Sequence, residues 1–274
     1  MPEGLRLALT TFTVAPMRAA RIDRRAARSA MLWSPLVGAV LAAVAGAVLL
    51  GGRFLFAGPD VWVHSLRTEL FLAPLLASVL AVIALAVLTR GLHLDGFADT
   101  VDGLASHKPA EQALAIMSEG PVGALGAAAL VLCLLTDVLA LATSTLEHHG
   151  TQALLMAVLT SRVAMVWACT PGIPAARAHG MGALVAGTVS RTAALAWTLV
   201  VLIAACVYGR FDSDVGSVHG AVRAILAVAV ALGVAWALRR HAVRRLGGIT
   251  GDVLGALCEI TFVVSLLVSA SGRP

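Results

Sequence analysis

Seven separate apolar runs, each close to the ~20 residues a helix needs to cross the hydrocarbon layer, constrain this chain more than anything else in it. They fall at about residues 32–52, 70–88, 121–143, 153–170, 191–208, 221–238 and 253–270. With 59% hydrophobic and only 13% charged residues, and a mean hydropathy of +0.91, the bilayer is the solvent. The expected fold is an all-α integral membrane protein, a polytopic helical bundle of about seven transmembrane helices with an N-terminal amphipathic surface helix. No repeat or second domain interrupts the pattern. One unit over residues 1–274 is expected, with an arm at 1–31 and the bundle at 32–270.

Charge sets the orientation. The net charge of +5 rests on arginines and a single lysine, Lys108, and most of them fall on one side of the spans. That side holds Arg6, Arg18, Arg21, Arg24, Arg25, Arg28, Arg90, Lys108, Arg177, Arg191, Arg239, Arg240, Arg244 and Arg245; the other holds Arg53, Arg67, Arg210, Arg223 and Arg273. The positive-inside rule then predicts a cytoplasmic N-terminus and an outside C-terminus in a bacterial cytoplasmic membrane. The first apolar patch, LALTTF, is short and precedes its arginines, the reverse of a signal peptide, so a retained N-terminus is expected.

In the arm, Leu5, Ala8, Leu9 and Phe12 share one helical face, and Arg21, Arg24, Arg25 and Arg28 repeat the spacing. The pattern predicts a helix lying on the membrane surface, its arginines facing anionic head groups. The four cysteines stand alone in apolar runs with no ligand spacing, and are read as packing residues.

Against this background the stretch LHLDGFADTVDG places Asp95, Asp99 and Asp102 within eight positions. On a helix the three fall within about 60° of one another. Three adjacent anions repel unless cations offset them, and an oxygen-only donor set suits a hard ion such as Mg²⁺. Gly96 and Gly103 are expected to let a large substrate approach the backbone. His93, just before the cluster, is a general base, a metal ligand or a hydrogen-bonding orienter.

A second acidic feature lies in GGITGDVLGALCEI, where Asp252 and Glu259 are seven residues apart on one face. Glu259 falls inside the bilayer, where an ionised group marks a functional site or needs a partner. Gly248 and Thr250 belong to a glycine-rich turn at a helix start, an arrangement that can receive an anion. Arg162 also lies within a span and requires a partner: Asp137, Glu259 or a bound phosphate. Asp137 alone reads as structural. An amphipathic surface helix from Lys108 to Met117 is expected to end at Glu119, before the glycine-punctuated EGPVGALG.

Topology brings the 93–102 cluster, Glu119, the ARAHGMG stretch carrying Arg177 and His179, and the GGITGD turn to one face of the membrane. Acids and arginines facing one compartment point to a metal-bridged phosphate substrate.

HLDGFADTVDG and GGITGDVLGA together resemble the cobalamin (5′-phosphate) synthase family, also called adenosylcobinamide-GDP ribazoletransferases. LRLALTTFTVAP, SPLVGA, EGPVGALG and ARAHGMG follow the family's order. The resemblance implies a membrane enzyme that joins adenosylcobinamide-GDP to α-ribazole or its 5′-phosphate, releasing GMP with a magnesium requirement. It implies Mg²⁺ on Asp95, Asp99, Asp102 and Asp252, with Glu259 completing the site or positioning the nucleophile, and His93 as base. Substrate contacts are expected from Arg162, Arg177, His179, Glu119, Gly248 and Thr250. The chain departs from the family at Glu119, where an aspartate is expected, and at Pro121, where a basic residue is common.

No nucleic-acid partner is indicated, and a homo-oligomer is left open. Other Mg²⁺-dependent membrane transferases share the physical logic; a CDP-alcohol phosphotransferase needs an Ala-Arg pair where this chain has Ala98-Asp99, and an aromatic prenyltransferase differs in spacing. A transporter would use Asp137, Arg162 and Glu259 as a permeation path, but the densest acids sit at one face and no paired broken helices recur.

Overall fold

The computed structural model describes residues 1–15, 17, 22–57, 69–119, 121–210 and 217–271, with Ala57, Glu69, Leu70, Phe71, Glu119 and Ser217 described in backbone only. Arg18, Arg21, Arg67 and Arg273 of the charge count lie outside the described residues. Helices account for the architecture; the sole β pairing among the described residues is an isolated parallel bridge, Ala175 to Ile249.

Among the described residues six helices are long and apolar enough to cross a membrane: α2 (Arg24–Ala57), α6 (Ala124–Leu146), α7 (Gly150–Ala168), α9 (Arg191–Gly209), α10 (Ser217–Leu246) and α11 (Gly251–Ala270). A further apolar helix, α3 (Glu69–Leu88), turns through 87° into α4 (Leu92–Ala105), the two counting as one bent span. The seven expected spans are therefore all helical. Of the six, α7 and α11 are the most enclosed, and with α2 they form the centre. The outer helices α9 and α10 present leucine, isoleucine and valine outward, as lipid-facing helices do.

The amphipathic arm is present as α1 (Glu3–Phe12), with Ala8 and Phe12 fully buried and Leu5 and Leu9 packed beside them. Its apolar face rests on protein, so the surface helix is docked rather than free on lipid. A Cβ on Gly4 would fall 2.0 Å from Ser29 Oγ, so α1 crosses α2 with no room for a side chain. The surface helix does not extend through the arginines: Arg24, Arg25 and Arg28 open α2, whose apolar run draws the helix start back to residue 24. Arg24 donates to the carbonyls of Ala183 and Ala186 instead of facing only head groups.

Within α2 the SPLVGA segment is a local repair and a clearance. Pro35 cannot donate to the carbonyl of Met31, and the Ser34 hydroxyl donates to it instead at 2.8 Å. Four residues on, Gly38 leaves space for the Arg162 stem: a Cβ there would be 2.8 Å from Arg162 Cγ.

The sharp exit from α3 positions α4. Gly91 N–H bonds to Ala86 O and Arg90 N–H to Val87 O, the paired bonds of a Schellman motif. The left-handed residue is Arg90, φ 56°, where glycine is the usual choice. Its guanidinium donates to Thr10 O at 2.7 Å, tying the strained turn to α1.

Candidate functional site

The acidic helix α4 lies against the start of α11, and glycine sets the distance. A Cβ on Gly96 would sit 2.9 Å from the Cα and carbonyl oxygen of Asp252, and one on Gly255 would sit 3.1 Å from His93 O. This contact brings Asp95 and Asp99, from one stretch of chain, to Asp252 from another. It also corrects the expectation that Gly96 and Gly103 open the backbone to substrate: Gly96 meets α11, and Gly103 meets Met117 of α5 (Ala110–Glu119).

An open cleft of about 830 Å³ forms where these elements meet. Asp95, Asp252, Arg177, His179 and Thr250 line it, with Phe12 and Met181 among its apolar walls. Asp99 is acted on by the negative charges of Asp95, Asp252 and Asp102 and by the positive charge of Arg177. Arg177 Nη1 stands 3.9 Å from Asp252 Oδ2, and its Nη2 donates to Leu114 O at 2.5 Å, so α5 holds the guanidinium over the acids. One arginine against Asp95, Asp99 and Asp252 leaves negative charge uncompensated, and the charged ligand atoms are carboxylate oxygens. These carboxylates are of the donor type a hard divalent cation takes, but among the described residues the groups whose ligand atoms lie within 4.8 Å of one another are not these acids.

Not all expected site residues serve this cleft in the same way. Asp102 is a cap: its Oδ2 accepts the Gly123 N–H at 2.7 Å and its Oδ1 the Gly126 N–H at 2.8 Å, at the start of α6. A Cβ on Gly126 would lie 2.4 Å from Asp102 Oδ2, which is why EGPVGALG needs its glycines. Its carboxylate is thus committed to the positive end of a helix, where an anion is favoured.

Thr250 and Gly248 likewise build the turn instead of offering it to an anion. Thr250 Oγ1 is the N-cap of α11, accepting from Val253 N–H at 3.1 Å, and donates to Asp252 Oδ2 at 3.1 Å, which orients that carboxylate. A Cβ on Gly248 would fall 2.5 Å from the backbone of residues 174–176. Ile249 N–H bonds to Pro174 O and Ala176 N–H to Ile249 O, pinning the Arg177 loop to the Asp252 helix. Glu119 ends α5 as expected; its side chain lies outside the described residues.

Arg162 and Glu259 do not face the cleft. They line a second cavity of about 480 Å³, between the spans, together with Asp137, His93 and Cys258. Asp137, read from sequence as an isolated structural acid, is 1% exposed and shares this cavity. Arg162 makes no ion pair among the described residues; Nη1 donates to Cys258 Sγ and Nε has no partner. Two of the four cysteines read as packing residues lie close to these acids: donor atoms of His93, Cys258 and Glu259 lie within 4.8 Å of one another, as do those of Cys133, Asp137 and Glu259. Arg162, expected as a phosphate contact, lines this second cavity and not the cleft that Asp95 and Asp252 line.

His93 stands between the two cavities, lining both, and is 2% exposed. Phe12 stacks on its ring, with centroids 6.2 Å apart and planes at 15°. Phe12 was missed as a site residue. Its only sequence signal was its place on the apolar face of α1.

Comparison with known proteins identifies the family. The family model described as cobalamin-5-phosphate synthase matches residues 4–270. Among curated relatives, adenosylcobinamide-GDP ribazoletransferase of Frankia casuarinae is 44% identical over 98% of this chain and 95% of its own length. The enzymes of the same name from a Nocardioides strain and from Desulforamulus reducens are 36% and 32% identical; the alignments cover 99% and 98% of this chain and 100% and 97% of the relatives. No solved structure matches. A cleft that gathers acids from HLDGFADTVDG and GGITGD, in a chain matched from end to end, places this protein in the cobalamin-5-phosphate synthase family.

Proposed function

We propose that this chain is an adenosylcobinamide-GDP ribazoletransferase, joining adenosylcobinamide-GDP to α-ribazole or its 5′-phosphate with release of GMP. The observation that carries the reading is the meeting of Asp95 and Asp252 with Arg177 at one open cleft, with Asp99 close enough to feel the charge of all three. In the reaction a ribose hydroxyl oxygen bonds to the phosphorus attached to the cobinamide, the phosphorus–oxygen bond to GMP breaks, and the hydroxyl proton is released.

Asp95, Asp99 and Asp252 are the residues that would hold Mg²⁺. When bound, the ion neutralises diphosphate charge that the cleft's own carboxylates would otherwise repel. Arg177, braced by Leu114 O, faces a phosphoryl oxygen and stabilises the charge that develops on it. His179 contacts the substrate from the same loop. Thr250 keeps Asp252 in orientation. His93, which lines the cleft and whose buried Nε2 has no hydrogen-bond partner among the described residues, receives the hydroxyl proton.

The charge count sets the topology of the reading: the cleft and N-terminus are cytoplasmic, the C-terminus is outside, and the bilayer is the bacterial cytoplasmic membrane. The test is product formation by the purified, lipid-reconstituted protein given adenosylcobinamide-GDP and α-ribazole phosphate, with Mg²⁺ or a chelator. Metal-dependent GMP release matched by cobalamin phosphate is expected. No product from folded protein would overturn the assignment.

A further inference from the structure

A groove larger than the cleft, about 1260 Å³, opens between α7, α9 and α10 and shares no lining residue with the cleft. Its charged wall residues are Arg191 at the start of α9 and Arg239 near the end of α10, and no carboxylate lines it. Neither guanidinium makes an ion pair among the described residues. Backbone carbonyls hold both in place: Arg191 donates to Pro171 O at 3.2 Å, and Arg239 to Trp167 O at 3.0 Å. They are positioned cations without anions.

Polarity in the groove runs along the helix axis. Leu232 and Gly233 lie roughly 10 Å below Arg239 along α10, two turns further into the apolar run. Trp167 and Trp236 stand between the two levels; Trp167 Nε1 donates to Thr198 Oγ1, and Trp236 is 52% exposed with Arg240 stacked over its ring at 5.3 Å. Tryptophan at this height, with arginine above and leucine below, matches the boundary between head groups and hydrocarbon. The groove is also unfilled at its apolar end, since a Cβ on Gly233 would meet nothing within 4 Å.

We propose that this groove holds an anionic phospholipid, with the phosphate between Arg191 and Arg239 and an acyl chain along Leu232 and Gly233. Two arginines without counter-ions supply the charge, as in other basic pockets between spanning helices. The apolar lower half selects a lipid over a free anion, which would leave that half empty. A lipid seated there touches Ile173, next to the Pro174 that pins the Arg177 loop, so the site borders the catalytic face without belonging to it.

The test is thermal unfolding and native mass spectrometry of the detergent-purified full chain with phosphatidylglycerol, phosphatidylcholine or inorganic phosphate. Phosphatidylglycerol is expected to raise Tm and to remain bound, whereas phosphatidylcholine and phosphate do neither. The double variant Arg191→Gln/Arg239→Gln loses affinity for phosphatidylglycerol by about 30-fold, from roughly tenfold or less per arginine. Gly233→Phe, whose Cβ meets nothing within 4 Å, places its ring in the apolar end and abolishes the adduct, while its Tm without lipid stays that of the parent. Equal binding of both lipids, unchanged phosphatidylglycerol binding by either variant, or an equal shift with inorganic phosphate would each overturn the proposal.

Discussion

Asp102 Oδ1 accepts the backbone N–H of Gly126 at 2.8 Å across 24 residues of sequence, so the third aspartate of the acidic helix fastens the next span. With Gly123 on the other oxygen, it joins two sequence motifs into one device: HLDGFADTVDG supplies the carboxylate and EGPVGALG the helix start. The aspartates one and two turns earlier have no such hydrogen-bonding commitment.

That division separates two variants that sequence alone would treat as equivalent. Asp102→Ala is expected to cost about 1–2 kcal/mol of stability through the lost cap, seen as a lower Tm in detergent. Asp99→Asn is expected to keep the parent Tm within about 0.5 kcal/mol and to abolish Mg²⁺-dependent GMP release. Loss of stability in both, or in neither, would show that cap and metal roles are not divided this way.

Gly96→Ala tests the helix contact that assembles the cleft. Its new methyl would meet the Asp252 backbone at 2.9 Å, where no flexible side chain can yield. Overpacking of this kind costs about 1–3 kcal/mol, and the displaced acids are expected to reduce turnover about 100-fold. Turnover within twofold of the parent would mean that the α4–α11 spacing does not set the site.

Inside the bundle, Arg162 faces two acids, Asp137 and Glu259, across one cavity. Arg162→Met removes the one cation that faces both carboxyls, together with its contact to Cys258, and is expected to lower Tm. Glu259→Gln should be milder. The double variant Arg162→Met/Glu259→Gln should recover part of the lost Tm. A double variant no more stable than Arg162→Met would show that the two side chains do not compensate each other.

The length of the apolar runs made the spans legible, and i, i+4, i+7 spacing placed Asp95, Asp99 and Asp102 on one face. What the spacing could not show was the partner of each group. Asp102 looks like its neighbours until Gly123 and Gly126 fold back onto it. Asp137, Arg162 and Glu259 come from three helices, and no single-helix pattern joins them. Gly38, Gly96 and Gly248 signal close approach without naming what approaches. The arm showed its apolar face, but an arginine run at helical spacing reads alike on a free surface helix and in the first turns of a span.

The most direct measurement is Mn²⁺ binding, as a spectroscopic stand-in for Mg²⁺, followed by electron paramagnetic resonance on the lipid-reconstituted protein. The parent and Asp102→Asn should bind the ion, competed by Mg²⁺, whereas Asp95→Asn, Asp99→Asn and Asp252→Asn should lose affinity by about tenfold or more each. Unchanged binding by Asp99→Asn and Asp252→Asn would contradict the central claim that the face of α4 and the start of α11 together form the metal and diphosphate site.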